Sequence, residues 1–181
     1  ITECMKNAAQ ENGINAEAIQ LLDDTTRESV KILVQMKDYL SLVIPRGSAA
    51  LIQEVVTHAT VPAIETGVGN CHIFIDESAN QENALAIIKN AKTQRPSVCN
   101  ACETVLIHEA IAKEFLPKLQ NYLTEVELRG CRKTKDIITV SSATELDWDT
   151  EYLDLILAVK VVKDLTEAIK HNDEHGTQHS E

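Results

Sequence analysis

CHIFIDESANQENALAIIKNAKTQRPSVCNACETVLIH, residues 71–108, reads as strand, helix, loop and strand in succession. CHIFID is a short apolar run of strand character. In the segment that follows, Ser78 and Gln81 form a capping-box pattern, and Ala84, Ile88 and Ala91 recur on one helical face. The helix must end before Pro96, because the residue preceding a proline is pushed out of helical backbone geometry. RPSVCNAC is then a loop, and TVLIH a second strand. A strand, a crossover helix and another strand are the repeating unit of a parallel α/β sheet.

The same alternation extends outward in both directions. ITECMKNAAQENG is helical, with Ile1, Met5 and Ala8 at helical spacing and Gly13 where a helix end favours a left-handed residue. AIQLLD follows as a short strand. TTRESVKILVQM is a helix with Val30, Leu33 and Val34 on its apolar face and Asp24 and Thr25 as capping residues. LSLVIP, residues 40–45, has the continuous apolar character of a strand covered on both faces. GSAALIQEVVTHA is helical and VPAIET strand-like. Beyond residue 108, IAKEFLPKLQNYL is a helix in which Pro117 is expected near the first turn. ILAVKVV is a strand. LTEAIKHNDEHG is a helix with Leu165, Ala168 and Ile169 inward and Gly176 past its end. The chain carries no internal repeat and no low-complexity linker.

Composition narrows the functional classes. The 181 residues include 17 basic and 28 acidic side chains, a net charge of -11, which repels phosphate backbones and anionic membranes. Nucleic-acid and membrane partners are therefore not expected. No stretch reaches the roughly 18 apolar residues of a membrane helix, and no leader pattern opens the chain, so a cytoplasmic location is expected. The five cysteines, at 4, 71, 99, 102 and 131, are odd in number and irregularly spaced, which favours reduced thiols over a disulfide framework. Opening on Ile1 and ending in a polar run, the sequence is expected to be a piece of a longer polypeptide.

Cys99 and Cys102 form a CxxC pair, for which three readings stay open. A redox pair needs a helix N-terminus to lower the pKa of its first thiol, and here a strand follows instead. A zinc half-site needs two further ligands, and no second CxxC is present, so no metal is expected. Packing as two small apolar side chains is the third reading. Elsewhere, Gly47 lies at a strand-to-helix turn that offers N–H groups to a phosphate. Gly67 and Gly69 precede a strand, where backbone can approach a ligand closely or simply turn.

VIPRGSAALIQEV, VPAIETGVGNCHIFIDESA, NAKTQRPSVCNACETVLIHE, VELRG and TEYLDLILAVKVVKDLTEAIKHNDEHGTQHSE together resemble the gamma-glutamyl phosphate reductase (glutamate-5-semialdehyde dehydrogenase) family of the aldehyde dehydrogenase superfamily. The resemblance runs in order along nearly the whole chain. It implies an aldehyde dehydrogenase-like α/β fold, with residues 1–70 as the later part of an NADP-binding domain and 71–181 as the first part of a catalytic domain. It also implies NADPH-dependent reduction of glutamate 5-phosphate to the semialdehyde in proline biosynthesis. A homo-oligomer and a glutamate 5-kinase are the partners it suggests. A chain lacking the rest of the family's length is expected to be inactive alone.

Matched residue by residue, Cys99 takes the place of the nucleophile, and its main-chain N–H that of an oxyanion donor. Cys102 stands where the family has alanine, and Asn172 where it has isoleucine. Arg46, Gly47 and Ser48 resemble the superfamily loop near the cofactor phosphates. Glu151 resembles the glutamate that holds the nicotinamide ribose, with a solvated acidic residue as the other reading. Asn100, Arg95 and Glu65 are the substrate-side candidates. Glu65 sits in a segment similar to the ELGG of hydrolytic relatives, where a glutamate activates water; a reductase gains nothing from that water, so a pocket-shaping role is expected. Lys92 offers charge to an anionic substrate or is a solvated helix residue. His179 and Ser180 belong to the signature HGTQHSE, with a structural histidine as the expectation.

Overall fold

The computed structural model describes residues 1–65 and 67–180, in two compact units, Ile1–Thr66 and Gly67–Glu181. Thr66 and Glu181, the last residues of VPAIET and HGTQHSE, lie outside the described residues.

In the first unit, α1 (Thr2–Glu11) ends in a turn where Gly13 adopts a φ of +77, as a left-handed helix terminus requires. AIQLLD, residues 18–23, expected as a strand, is irregular chain after Ala18, the last residue of a single 3-10 turn (Ala16–Ala18). Asn15 caps that turn by accepting from the Glu17 N–H, and local side-chain bonding of this kind competes with strand formation. Helix α2 (Arg27–Leu33) begins at Thr26, whose hydroxyl accepts from the Ser29 N–H; Asp24 receives the Thr26 N–H rather than capping the helix itself. Val30, Leu33 and Val34 form its inward face, with Val34 fully buried. Helix α3 (Ala49–His58) starts at Ser48.

The strands expected at LSLVIP and VPAIET reduce to one isolated parallel bridge, Val43 to Ala63. Leu42 and Ile44 remain exposed. A strand apolar on both faces needs a neighbour on each side and a cover on each face, which the described part of this unit lacks.

The second unit is a five-stranded, wholly parallel sheet in the order β1-β2-β5-β3-β4. Its strands are β1 (Cys71–Ile75), β2 (Cys102–His108), β3 (Glu127–Gly130), β4 (Ser141–Ser142) and β5 (Ile156–Val162). The helices between them are α4 (Gln81–Thr93), α5 (Glu109–Tyr122), α6 (Arg132–Lys135), α7 (Glu145–Trp148) and α8 (Leu165–His175). Val105, Ile107, Leu157, Val159 and Val161 pack with Ile88 of α4 and Phe115, Leu116 and Leu119 of α5. The alternate residues Leu106 and Val162 pack with Ala168 of α8, as the two-residue period of a strand dictates.

Three local expectations are corrected. Asn80, not Ser78, caps α4 by accepting from the Asn83 N–H, because Ser78 is engaged twice by Asp76. Pro117 lies well inside α5; burial of Phe115, Leu116 and Leu119 around it outweighs the lost backbone bond. Leu165 and Ile169 are exposed, and Ala168 and His171 face inward, because α8 contacts the sheet through a narrow stripe. The motif VELRG supplies β3, whose few residues carry little period-two signal.

Candidate active site

Residues 94–101 join α4 to β2 and carry Cys99, which is exposed, as are Arg95 and Asn100. Two tight turns shape the loop: the Val98 N–H donates to the Arg95 carbonyl, and the Ala101 N–H to that of Val98. Gly69 then comes against it from the segment before β1. A Cβ on Gly69 would lie 1.5 Å from the Cys99 carbonyl oxygen, so only glycine fits. The close approach read into the glycines is thus made to the cysteine's own backbone. Gly67, by contrast, has open space around its Cβ position.

The two thiols of the CxxC pair are unequal. Cys102 is the first residue of β2, fully buried, and donates to the Thr104 carbonyl at 3.4 Å. Burial pushes its thiol far above the ordinary range, with Lys92 opposing only part of the shift, so it is inert as a thiolate. Cys71 lies beneath the loop and donates to the Cys99 carbonyl at 3.4 Å. Among the described residues no group of three or more metal-ligating side chains occurs.

Lys92, read as a solvated helix residue or a substrate attractant, is neither: it is fully buried and donates to the equally buried Glu103. A lone charge within the apolar run ACETVLIH was the signal for this, since a buried carboxylate requires a partner. Burial raises the Glu103 carboxyl above its usual value, and Lys92 works against that shift. Its other oxygen accepts from the Leu153 N–H at 3.3 Å. Two residues earlier, half-buried Glu151 accepts from the Gly69 N–H at 3.0 Å. Cys99 and Glu151 are therefore both held to Gly69.

The HGTQHSE segment packs against the start of β1. The Asn70 side chain donates to the carbonyls of Trp148 and His175, and the Asn70 N–H donates to the Thr177 hydroxyl. Ser180 lies 3.4 Å from the Cys71 sulfur and 2.8 Å from His179 Nδ1; His179 is exposed. Asn70, which ties three segments together, drew no attention in the sequence because a lone asparagine beside glycines looks like a turn.

Arg46, Gly47, Ser48 and Glu65 lie in the first unit and are exposed. Gly47 has a φ of +151, and a Cβ there would come within 2.8 Å of the Leu51 side chain. The Ser48 hydroxyl accepts from the Leu51 N–H at the start of α3. A cavity of about 320 Å³ between α2 and α3 is lined by Arg27, Lys31, Ser48, Leu51 and Glu54, with Lys31 paired to Glu54 at 3.0 Å. Glu28 also lines it, so the two cations there are matched by two carboxylates.

The parallel α/β sheet thus carries one exposed cysteine, Cys99, on the loop between α4 and β2. The chain matches the aldehyde dehydrogenase family over residues 1–176 and belongs to that family. Curated relatives include the gamma-glutamyl phosphate reductases of Alkaliphilus oremlandii and Clostridium perfringens strain 13, each 54% identical over the whole of this chain and 44% of their own. The crystal structure of gamma-glutamyl phosphate reductase from Thermotoga maritima matches with a TM-score of 0.91 at 50% identity, covering 97% of this chain and 43% of that one. An acetylating aldehyde dehydrogenase from Geobacillus thermoglucosidasius, 20% identical with a TM-score of 0.72 over 97% of this chain and 48% of its own, shares the fold. The chain thus spans less than half the length of the curated relatives it matches. No helix of the described residues is long and apolar enough to cross a membrane.

Proposed function

We propose that this chain carries the nucleophile of an NADPH-dependent gamma-glutamyl phosphate reductase, which converts L-glutamate 5-phosphate to L-glutamate 5-semialdehyde and phosphate. The observation that carries this reading is the exposed Cys99, on a loop pinned by Gly69, within a chain 54% identical to enzymes of that name. An acyl phosphate already holds a good leaving group, so it needs a soft nucleophile more than a strong acid. The Cys99 thiolate attacks the gamma-carbonyl carbon, the bond to the phosphate oxygen breaks, and phosphate departs with the electron pair, leaving a thioester. The main-chain N–H of Cys99 stabilises the developing oxyanion. When bound, the nicotinamide cofactor supplies the two-electron reduction that releases the aldehyde.

In this reading Gly47 and Ser48, at the N-terminus of α3, hold a cofactor phosphate, with Arg46 beside them, and Glu151 holds the nicotinamide ribose. Arg95 and Asn100 border the substrate. Glu65 shapes the pocket without activating water, since water would divert the thioester to glutamate. The first unit is then the later part of the cofactor domain and the second the opening of the catalytic domain. The protein works in the cytoplasm, as a homo-oligomer that receives its acyl phosphate from a glutamate 5-kinase. The 181-residue chain alone turns over no substrate.

Cys99→Ser in the intact protein tests the reading. A loss of about 10³-fold or more in the reduction of glutamate 5-phosphate, with Cys102→Ala within a few-fold of the parent, is expected. Undiminished turnover of Cys99→Ser would overturn it.

A further inference from the structure

The proposed chemistry uses Cys99 and Glu151 but leaves unexplained a fully buried ion pair beside them. Lys92 sits in the last turn of α4 and Glu103 is the second residue of β2, so the pair brackets residues 94–101 and closes both ends of the nucleophile loop. The pairing of β1 with β2 breaks at this point: Cys71 and His72, adjacent in sequence, lie opposite Cys102 and Thr104, leaving Glu103 as the extra residue of a β-bulge. Bulges re-aim side chains, and Cys102 accordingly joins the Val105 and Ile107 cluster that strict alternation would deny it.

From the bulge, Glu103 reaches two elements at once. One oxygen takes the Lys92 ammonium and the other accepts from the Leu153 N–H. Leu153 has a φ of +55, a left-handed conformation that leucine adopts only when its surroundings hold it there. Tyr152 stands with its ring 5.8 Å from the Lys92 nitrogen, and its hydroxyl donates to Asp147 at 2.7 Å. Glu151 completes the path to Gly69, which lies against the Cys99 carbonyl. The contacts form a closed ring: the Cys99 loop, Glu103, residues 151–153, Gly69, and back to Cys99.

Burying two charges costs more than burying two apolar side chains of similar volume, so fold stability does not account for the pair. We infer that Lys92 and Glu103 are positioning residues, which set the nucleophile loop and the Glu151 segment in register with each other for the reaction. The inference rests on the proposed function for its catalytic readout.

The test compares the intact protein with its Lys92→Met/Glu103→Leu double variant, which replaces the pair with apolar groups. Expected are a kcat at least tenfold lower, a KM for glutamate 5-phosphate within threefold of the parent, and a melting temperature within a few degrees. Amide hydrogen exchange should quicken together in residues 94–101 and 149–155, with α5 and β5 as protected as before. If the double variant fails to fold, Glu103→Gln serves with the same criteria and a kcat loss of at least threefold, since it leaves Lys92 without its counter-charge. A kcat within twofold of the parent, exchange that quickens in only one segment, or a kcat that falls only in step with melting temperature overturns the inference. Should the parent protein not reduce the acyl phosphate at all, the functional reading falls, and the exchange comparison still decides the positioning role.

Discussion

The two units of this chain have similar apolar content in sequence but use it differently. In Gly67–Glu181, strands and helices bury a continuous cluster that runs from Ile75 to Val161, with Phe115, Leu116 and Leu119 wholly inaccessible. In Ile1–Thr66 the buried apolar side chains among the described residues are Ala9, Val34, Val55, Val61 and Pro45, while Leu21 is 69% and Tyr39 80% exposed. A parallel sheet supplies two faces for helices to cover, whereas short helices joined by one isolated bridge supply almost none. The unit that carries Cys99 therefore stands on its own core. If Cys99 reacts as proposed, its loop needs that, because a displacement of about 1 Å at a reacting atom costs on the order of 10²-fold in rate.

Substitutions can break or sharpen this contrast. The largest effect is expected at Phe115→Ala, which empties the centre of the second unit and should lower its unfolding free energy by about 3–5 kcal/mol, measured by urea titration of the intact protein. Next comes Gly69→Ala. Its Cβ would overlap the Cys99 carbonyl and force the backbone there to shift, so reductase turnover should fall by roughly 10²-fold, about 2.7 kcal/mol of barrier. A change confined to KM would show that Gly69 does not place the nucleophile.

An intermediate effect separates the units by pH. His171 is buried against His72, His175 and Lys160, whose ammonium donates to its Nδ1, and burial foremost holds its pKa down to about 3 against an ordinary 6.5. The unfolded chain therefore binds more protons between these values, and stability should fall as pH drops from 6.5 towards 3, by up to about 1.4 kcal/mol per pH unit. His171→Gln should flatten that slope above about pH 5, where carboxyls such as Asp147, held low in the folded chain by its bonds to Thr144, Tyr152 and Arg129, are ionised in the unfolded chain as well. In the first unit, Val34→Ala should cost about 1.5 kcal/mol. The smallest effect is at Leu21→Ala, expected within about 0.5 kcal/mol of the parent. A large loss there would mean that the exposed leucine is covered in the intact protein.

How much was legible follows from the range of each signal. The unit β1-α4-β2 was readable because its strands are largely apolar and its helix repeats at 3.6 residues, so local pattern and final burial mostly agree. LSLVIP has an equally strong local pattern and no sheet to join within the described residues, so pattern alone misled. The motif around Cys99 marked the loop, and the strand after it argued against a redox pair. Nothing local distinguished an exposed Cys99 from a buried Cys102 three residues on.

By itself, then, the sequence determined the α/β alternation of the second unit, the family and the position of the Cys99 loop, all of which depend on neighbours in the chain. Only the tertiary structure decided that Lys92 is buried against Glu103, that Gly69 touches the backbone of Cys99, and that Glu151 is tied to Gly69. Those contacts join residues up to 82 positions apart. Their existence depends on strand order and on one bulge, quantities that no window of sequence contains.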